Sequence, residues 1–273
     1  RSSDLYAIAE ITNNYFSVLA QARDTNDSVR FQYPEVYKKV TSGVTGRTSN
    51  VFTQLGLYWQ LHLAYDMGGY NYKTYDTYKE QFNNLFFARV DSYVRNPGSA
   101  PKPGNVALSV SGDVDNKLMR LACAAADKNI LEFFERWGMV PDENTKKYAE
   151  QFEKETRAIW FVNDEARAYV LENGKNGSVA ASATVEADLS YRPNSNEVTI
   201  HLGSQSKQPE AMLGYEIYRS ETIKSHVEKK PVGFVTADQT EFVDSISTIN
   251  NRVFTYEVVG YDKYLNATKP VVL

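Results

Sequence analysis

Sulfur and imidazole are scarce in this chain: 273 residues hold one cysteine and three histidines. A lone cysteine, Cys123, excludes an intrachain disulfide. It sits in Leu-Ala-Cys-Ala-Ala-Ala with no histidine near it in sequence, so a buried, inert thiol is expected rather than a nucleophile. His62, His201 and His226 stand far apart, and none has a second histidine at metal-ligand spacing. No apolar run approaches the ~20 residues of a membrane span, so no membrane span is expected. Lys and Arg form no block in a chain of net charge −4, which argues against nucleic acid as a partner.

What is present is ordinary globular material, 42% hydrophobic and 23% charged, enough for a sizeable core. Tyrosine is abundant, with 19 residues. Such side chains suit sugar or protein contacts, but strand and core roles are the more usual ones.

The N-terminal two thirds reads as helix. Leu5, Ile8, Thr12, Tyr15, Phe16 and Leu19 recur at the spacing of one helix face. At ~100° per residue Glu10 points away from that face, with Asn14, Ser17 and Gln21 on its side. Spacing alone makes this a solvated polar face. From Asn50 to Met67 the chain is apolar nearly all round, the mark of a buried helix, closed by Gly68-Gly69. His62 lies one turn from Tyr58 and Trp59 and reads as a hydrogen-bonded core or cleft-wall histidine. Further helices are expected over Asp76–Asn96, Asn116–Asp127, Ile130–Trp137 and from Pro141 to about Glu155. Asp115 is the expected cap of the second of these, and Gly138 closes the third. Adjacent Asp164 and Glu165 point ~100° apart on a helix, which suits N-terminal helix acids better than an acid/base pair.

Beyond a Gly/Ser/Asn-rich segment at 175–181 the apolar period changes to alternation. Seven short strands follow, near Val185–Tyr191, Val198–Leu202, Leu213–Ile217, Val232–Val235, Phe242–Val243, Phe254–Tyr261 and Val271–Leu273. Seven alternating strands in under 100 residues suggest a β-sandwich.

Ala9-Glu10-Ile11-Thr12-Asn13-Asn14-Tyr15-Phe16-Ser17 resembles a segment of the enhancin-like zinc metallopeptidases, gluzincin-type enzymes that cut mucins and other glycoproteins. Asp127–Gly138 and Ala158–Arg167 resemble two further stretches of that family. The resemblance implies that Glu10 is the third zinc ligand, with two His and the base Glu on a preceding H-E-x-x-H helix. The chain has no H-E-x-x-H. It is therefore expected to be the C-terminal part of a secreted or cell-surface enzyme. Zinc would belong to the intact parent protein and would not be stably bound to this fragment. The implied partners are a glycoprotein or mucin substrate and the N-terminal part of the same parent. Helical adjacency to Glu10 makes Asn14 its orienting neighbour, and Tyr58 and His62 are assigned to the substrate cleft. Leu213–Arg219 and Phe254–Asp262 resemble strands of fibronectin type III modules, with Tyr256 as the corner tyrosine; the Trp usual on an early strand is absent.

The expected architecture is multi-domain. A mainly α-helical C-terminal subdomain of a metallopeptidase, residues 1–174, would precede an all-β immunoglobulin/fibronectin-like sandwich, residues 182–273. The alternative is a non-catalytic glycan- or protein-binding scaffold, a helical spacer plus sandwich, with Tyr70, Tyr72, Tyr75 and Tyr78 as its surface. A glycosidase would need two acids set across a pocket, which the sequence cannot display.

Overall fold

The computed structural model describes residues 9–23, 30–66, 78–174, 177–247 and 252–273. Gly68-Gly69, the aromatic patch at Tyr70, Tyr72 and Tyr75, and the side chain of Tyr78 lie outside the described residues. No described helix is long and apolar enough to cross a membrane. The chain folds into two compact units, one within residues 1–36 and 44–160, the other within 37–43 and 161–273.

The first unit is helical. It holds α1 (Ala9–Arg23), the start of α2 (Tyr33–Val40), α3 (Val51–Tyr65), α4 (Tyr78–Asn84), α5 (Phe86–Arg95), α6 (Val114–Ala126), α7 (Leu131–Arg136) and α8 (Glu143–Ala149). Asn50 starts α3 by accepting from the Phe52 and Thr53 N–H groups. The helix is buried from Thr53 to Leu63, as its all-round apolarity requires. Its polar Gln60 is fully buried and satisfied at both ends: Trp137 Nε1–H donates to Oε1 at 3.1 Å, and Nε2 donates to the Trp160 carbonyl at 2.6 Å. Cys123 is buried in α6, and burial pushes its thiol up to about 12, so it stays protonated.

Three local expectations change. The helix expected over 76–96 is two helices, because Leu85 is extended (φ −111°, ψ 125°). Leu85 offers no side-chain cap, and Asp66, 20 residues earlier, accepts from the Phe86 N–H instead. Asp113, not Asp115, caps α6, accepting from the Asn116 N–H; Asp115 instead pairs with Arg47. Gly138 follows α7 at φ +82°, where a Cβ is disfavoured, and its N–H returns to the Glu135 carbonyl while that of Met139 reaches Phe134.

The second unit carries α9 (Asp164–Asn173), capped by Asn163 with Asp164 and Glu165 in its first turn, and seven strands. These are β1 (Thr184–Arg192), β2 (Glu197–Gln205), β3 (Met212–Ile223), β4 (His226–Thr236), β5 (Glu241–Ser245), β6 (Val253–Asp262) and β7 (Val271–Val272). They form antiparallel sheets of order β1-β2-β5 and β4-β3-β6-β7. The alternating apolar rows meet in a core that includes Val185, Ile200, Tyr215, Ile217, Tyr256 and Val258.

The expected fold class, a helical subdomain followed by a separate all-β immunoglobulin/fibronectin-like sandwich, is corrected here. The unit that contains the sheets also contains the end of α2 and all of α9. The physical reason lies on the outer face of the four-stranded sheet. In a free-standing sandwich that face is solvated. Here Glu216, Phe234, Val259 and Tyr261, opposite in register to the core row, are buried. Phe161 stacks on Phe234 at 4.0 Å between ring centroids, and Tyr37 of α2 approaches the same ring at 4.7 Å. Tyr256 is likewise no fibronectin corner. Its hydroxyl donates to the Asp244 carboxylate at 2.8 Å, not to upstream backbone.

Phe161→Ala tests this directly. If its ring seals the sheet, the substitution is expected to cost about 3–5 kcal/mol in denaturant unfolding. A sheet with a solvated outer face would lose almost nothing.

Candidate functional site

Helix α1 buries Ile11, Asn14, Tyr15 and Val18, an i, i+3, i+4, i+7 stripe that corrects the expected face: Asn14, assigned to the polar side, is buried, and Phe16, assigned to the apolar side, is exposed. Glu10 lies on this helix one turn before Asn14; its side chain is outside the described residues. Asn14 is engaged by Arg30, whose Nη1 donates to Asn14 Oδ1 at 2.6 Å.

Tyr15 points the helix at α3. Its ring meets Trp59, His62 and Phe87 edge-on, with centroids at 6.2, 6.1 and 4.9 Å. The His62 ring lies 4.5 Å from that of Trp59. Its Nδ1 is 2.7 Å from Asp66 Oδ2 and 3.4 Å from the Tyr15 hydroxyl. A carboxylate only accepts, so the shorter contact assigns the ring proton to Nδ1 and leaves Nε2 as the acceptor nitrogen when the ring is neutral. The other oxygen of Asp66 accepts from the Phe86 N–H at 2.8 Å. One buried carboxylate thus sets the histidine tautomer and starts α5.

Tyr58 goes elsewhere. It is buried, and its hydroxyl accepts from Arg47 Nη1 at 3.2 Å, while Arg47 also pairs with Asp115. Burial raises the Tyr58 phenol, and the Arg47 charge offsets only part of this, so it remains a neutral hydroxyl. The structure therefore brings Tyr15, His62 and Asp66 together and gives Tyr58 a separate partner. Beside Asp66 a cavity of about 320 Å³ opens between Tyr15, Phe16 and Leu19 of α1 and Leu85, Phe87 and Arg95 at α5. Phe16, 54% exposed, stands at this cavity.

A catalytic zinc needs three protein donors around one point. Among the described residues no group of three or more His, Cys, Asp or Glu could hold a metal. His62 is committed to Asp66, and His201 lies 3.2 Å from Glu241 on the β1-β2-β5 sheet. The described residues therefore do not fit a zinc centre by themselves.

Sequence reading passed over Asp66 and Arg47. For Asp66 a signal exists: His62-Leu-Ala-Tyr-Asp66 is an i, i+4 His–Asp pair. For Arg47 there is none, since its partners Tyr58 and Asp115 lie 11 and 68 residues on.

Asp66→Asn is expected to keep the α5 cap while turning a donor toward His62, which moves the ring proton to Nε2. Imidazole ¹⁵N shifts read this directly. Asp66→Ala loses both bonds and is expected to cost about 1–3 kcal/mol in denaturant unfolding. Unchanged His62 shifts in Asp66→Asn would refute the tautomer assignment.

No protein-family model matches the chain, and no curated protein matches it. Solved structures do. The chain is similar to the catalytic module of the metalloprotease ZmpA from Clostridium perfringens, with a TM-score of 0.58 and 20% identity over 99% of this chain and 45% of that one. The M60 catalytic domain of ZmpC from the same organism, in complex with the sialyl T antigen, gives a TM-score of 0.61 and 21% identity over 99% of this chain and 47% of that one. The ZmpB metallopeptidase of that organism gives the same TM-score of 0.61 and 21% identity, over 99% and 47% of the two chains. This chain therefore spans a little under half the length of the structures it matches. The likeness runs through the helices and both sheets, which assigns the sheets to the catalytic-domain fold and not to an appended module. The chain shares the fold of part of an M60 metalloprotease catalytic domain.

Proposed function

We propose that this chain is part of a secreted or cell-surface zinc metallopeptidase of the enhancin-like, M60 type that hydrolyses mucin-type or other glycoproteins. The observation that carries this reading is a likeness covering 99% of the chain to the catalytic domains of metalloproteases. One of those neighbours is a complex with a glycan antigen, which supports a glycosylated substrate.

Within this reading Glu10 contributes a carboxylate to the zinc. It sits on α1 in the Ala-Glu-Ile-Thr-Asn-Asn-Tyr-Phe-Ser segment that carries the family resemblance. Asn14, one turn on and held by Arg30, orients that carboxylate. Tyr58 and His62 support the substrate side of α3 through their buried contacts with Arg47 and Asp66. Two imidazoles and a general base complete such a centre, and they come from the rest of the protein, because this chain has no H-E-x-x-H. The chain alone is therefore a poor zinc binder and is inactive, a single carboxylate leaving zinc mostly hydrated. A non-catalytic scaffold that binds glycans or proteins is the competing reading, and it makes Glu10 dispensable.

In the complete protein, Glu10→Ala and Glu10→Gln are each expected to lower zinc content after dialysis and glycoprotein cleavage by more than about 100-fold in rate, with the fold kept. Ile11→Ala is the control. It is buried on the same helix, so it should cost about 2–5 kcal/mol without removing the metal selectively. Wild-type zinc and cleavage in Glu10→Ala would favour the scaffold.

A further inference from the structure

The sheets of the second unit are closed at one end and open at the other. Along β1 the inward row runs Val185, Ala187, Leu189, Tyr191. Val185 is buried, whereas Leu189 and Tyr191 are 40% and 43% exposed. Their partners across β2, Ile200 and Val198, are both buried. The apolar row that should close the core is thus left uncovered toward the β1–β2 turn. A cavity of about 410 Å³ lies there, lined by Leu189, Tyr191, Val198, Phe254 and Tyr256, with Arg252 among its polar groups. That volume is in the range of small-molecule sites.

Its Arg252 belongs to one of two arginine–carboxylate pairs near this end of the sheets. Arg252 Nη1 donates to Glu221 at 2.7 Å. Arg219 Nη1 donates to Asp244 at 2.6 Å, and Asp244 also accepts from the hydroxyl of the cavity-lining Tyr256. The Arg219 guanidinium lies 5.7 Å from the Phe254 ring. Of the two arginines Arg252 lines the cavity, and its guanidinium carries N–H groups beyond the one given to Glu221, which call for acceptor oxygens.

A suitable occupant must bring hydroxyl-type oxygens to these donors and an apolar face to Tyr191 and Leu189. A hydrocarbon chain supplies no acceptor. A small inorganic anion covers no ring. A pyranose supplies both, with carbon-bound hydrogens on one face and hydroxyls on its edge. We propose that this cavity is a carbohydrate-binding site that takes a glycosyl residue, separate from the Glu10 helix. It adds a binding function to the sheets and needs no metal.

The test is saturation-transfer NMR and titration on the full chain with N-acetylgalactosamine, N-acetylglucosamine and methyl β-galactoside. Hexanol and inorganic phosphate serve as the apolar-only and anion-only probes. At least one sugar is expected to bind, and Tyr191→Ala and Arg252→Met are each expected to weaken it by about tenfold or more. Arg252→Lys should not rescue it, since lysine lacks the planar guanidinium fork. Tyr191 is half exposed, so its truncation leaves the core intact, which an amide spectrum verifies. Phe16→Ala, on α1, should bind like wild type. Binding of hexanol or phosphate alone, no sugar binding, or sugar binding unchanged in Tyr191→Ala overturns the proposal. Since the measurement involves neither zinc nor cleavage, its failure leaves the peptidase reading standing.

Discussion

One guanidinium holds the helical unit in register. Arg89 of α5 donates through Nε to the Ala125 carbonyl at 2.7 Å, through Nη1 to Phe82 and Asn83 at 3.3 Å, and through Nη2 to Tyr65 at 3.3 Å. These carbonyls end α6, α4 and α3, where each helix has run out of its own N–H partners. Burial opposes the charge and lowers the Arg89 pKa, with the nearby Asp66 carboxylate offsetting part of this. Three helix ends carrying partial negative charge are the natural setting for such a cation. Asp66 complements it at the opposite pole, a carboxylate at the N-terminus of α5. The geometry of His62, and through Tyr15 the seating of α1, depends on this pair.

The second unit rests on a buried carboxylate rather than a buried cation. Asp262 is fully buried at the end of β6. Its Oδ2 accepts from the Val179 and Ala180 N–H groups at 2.8 and 2.9 Å, and its Oδ1 from Asn266 at 2.9 Å. The turn that enters the sheets is thereby tied to the strand that closes them. On the outer face Glu216 accepts from the Tyr218 and Tyr261 hydroxyls, each at 2.8 Å. A sheet that buries a carboxylate on one face and an aliphatic core on the other is built to be covered on both sides.

These two supports bear on function differently. The helical unit presents α1, the bearer of Glu10, on a wall whose side chains are already committed to one another. Such a wall is rigid, which suits the role proposed for Glu10. The sheet unit closes tightly where Val185 packs against Gly260, and leaves Leu189 and Tyr191 half exposed at the far end.

Local order was legible in the sequence. Alternation located all seven strands, from Val185–Tyr191 to Val271–Leu273, because side chains on successive strand residues face opposite ways. The all-round burial of α3, the cap at Gly138 and the acids opening α9 follow from equally short-range rules, whereas the inner face of α1 does not: Asn14 is buried and Phe16 exposed. The proposed role of Glu10 rests on a resemblance, since helical spacing by itself gives a polar face. What the tertiary structure decided are contacts between residues distant in the chain. Leu85 breaks a helix because Asp66 waits for the Phe86 N–H, and Asp115 loses its capping role to Asp113 and turns to Arg47. Phe234 reads as one more apolar strand residue, yet Phe161 and Tyr37 cover it and remove the solvated face that a separate sandwich would need. Period reports which face is apolar; only the folded chain determines what lies against it.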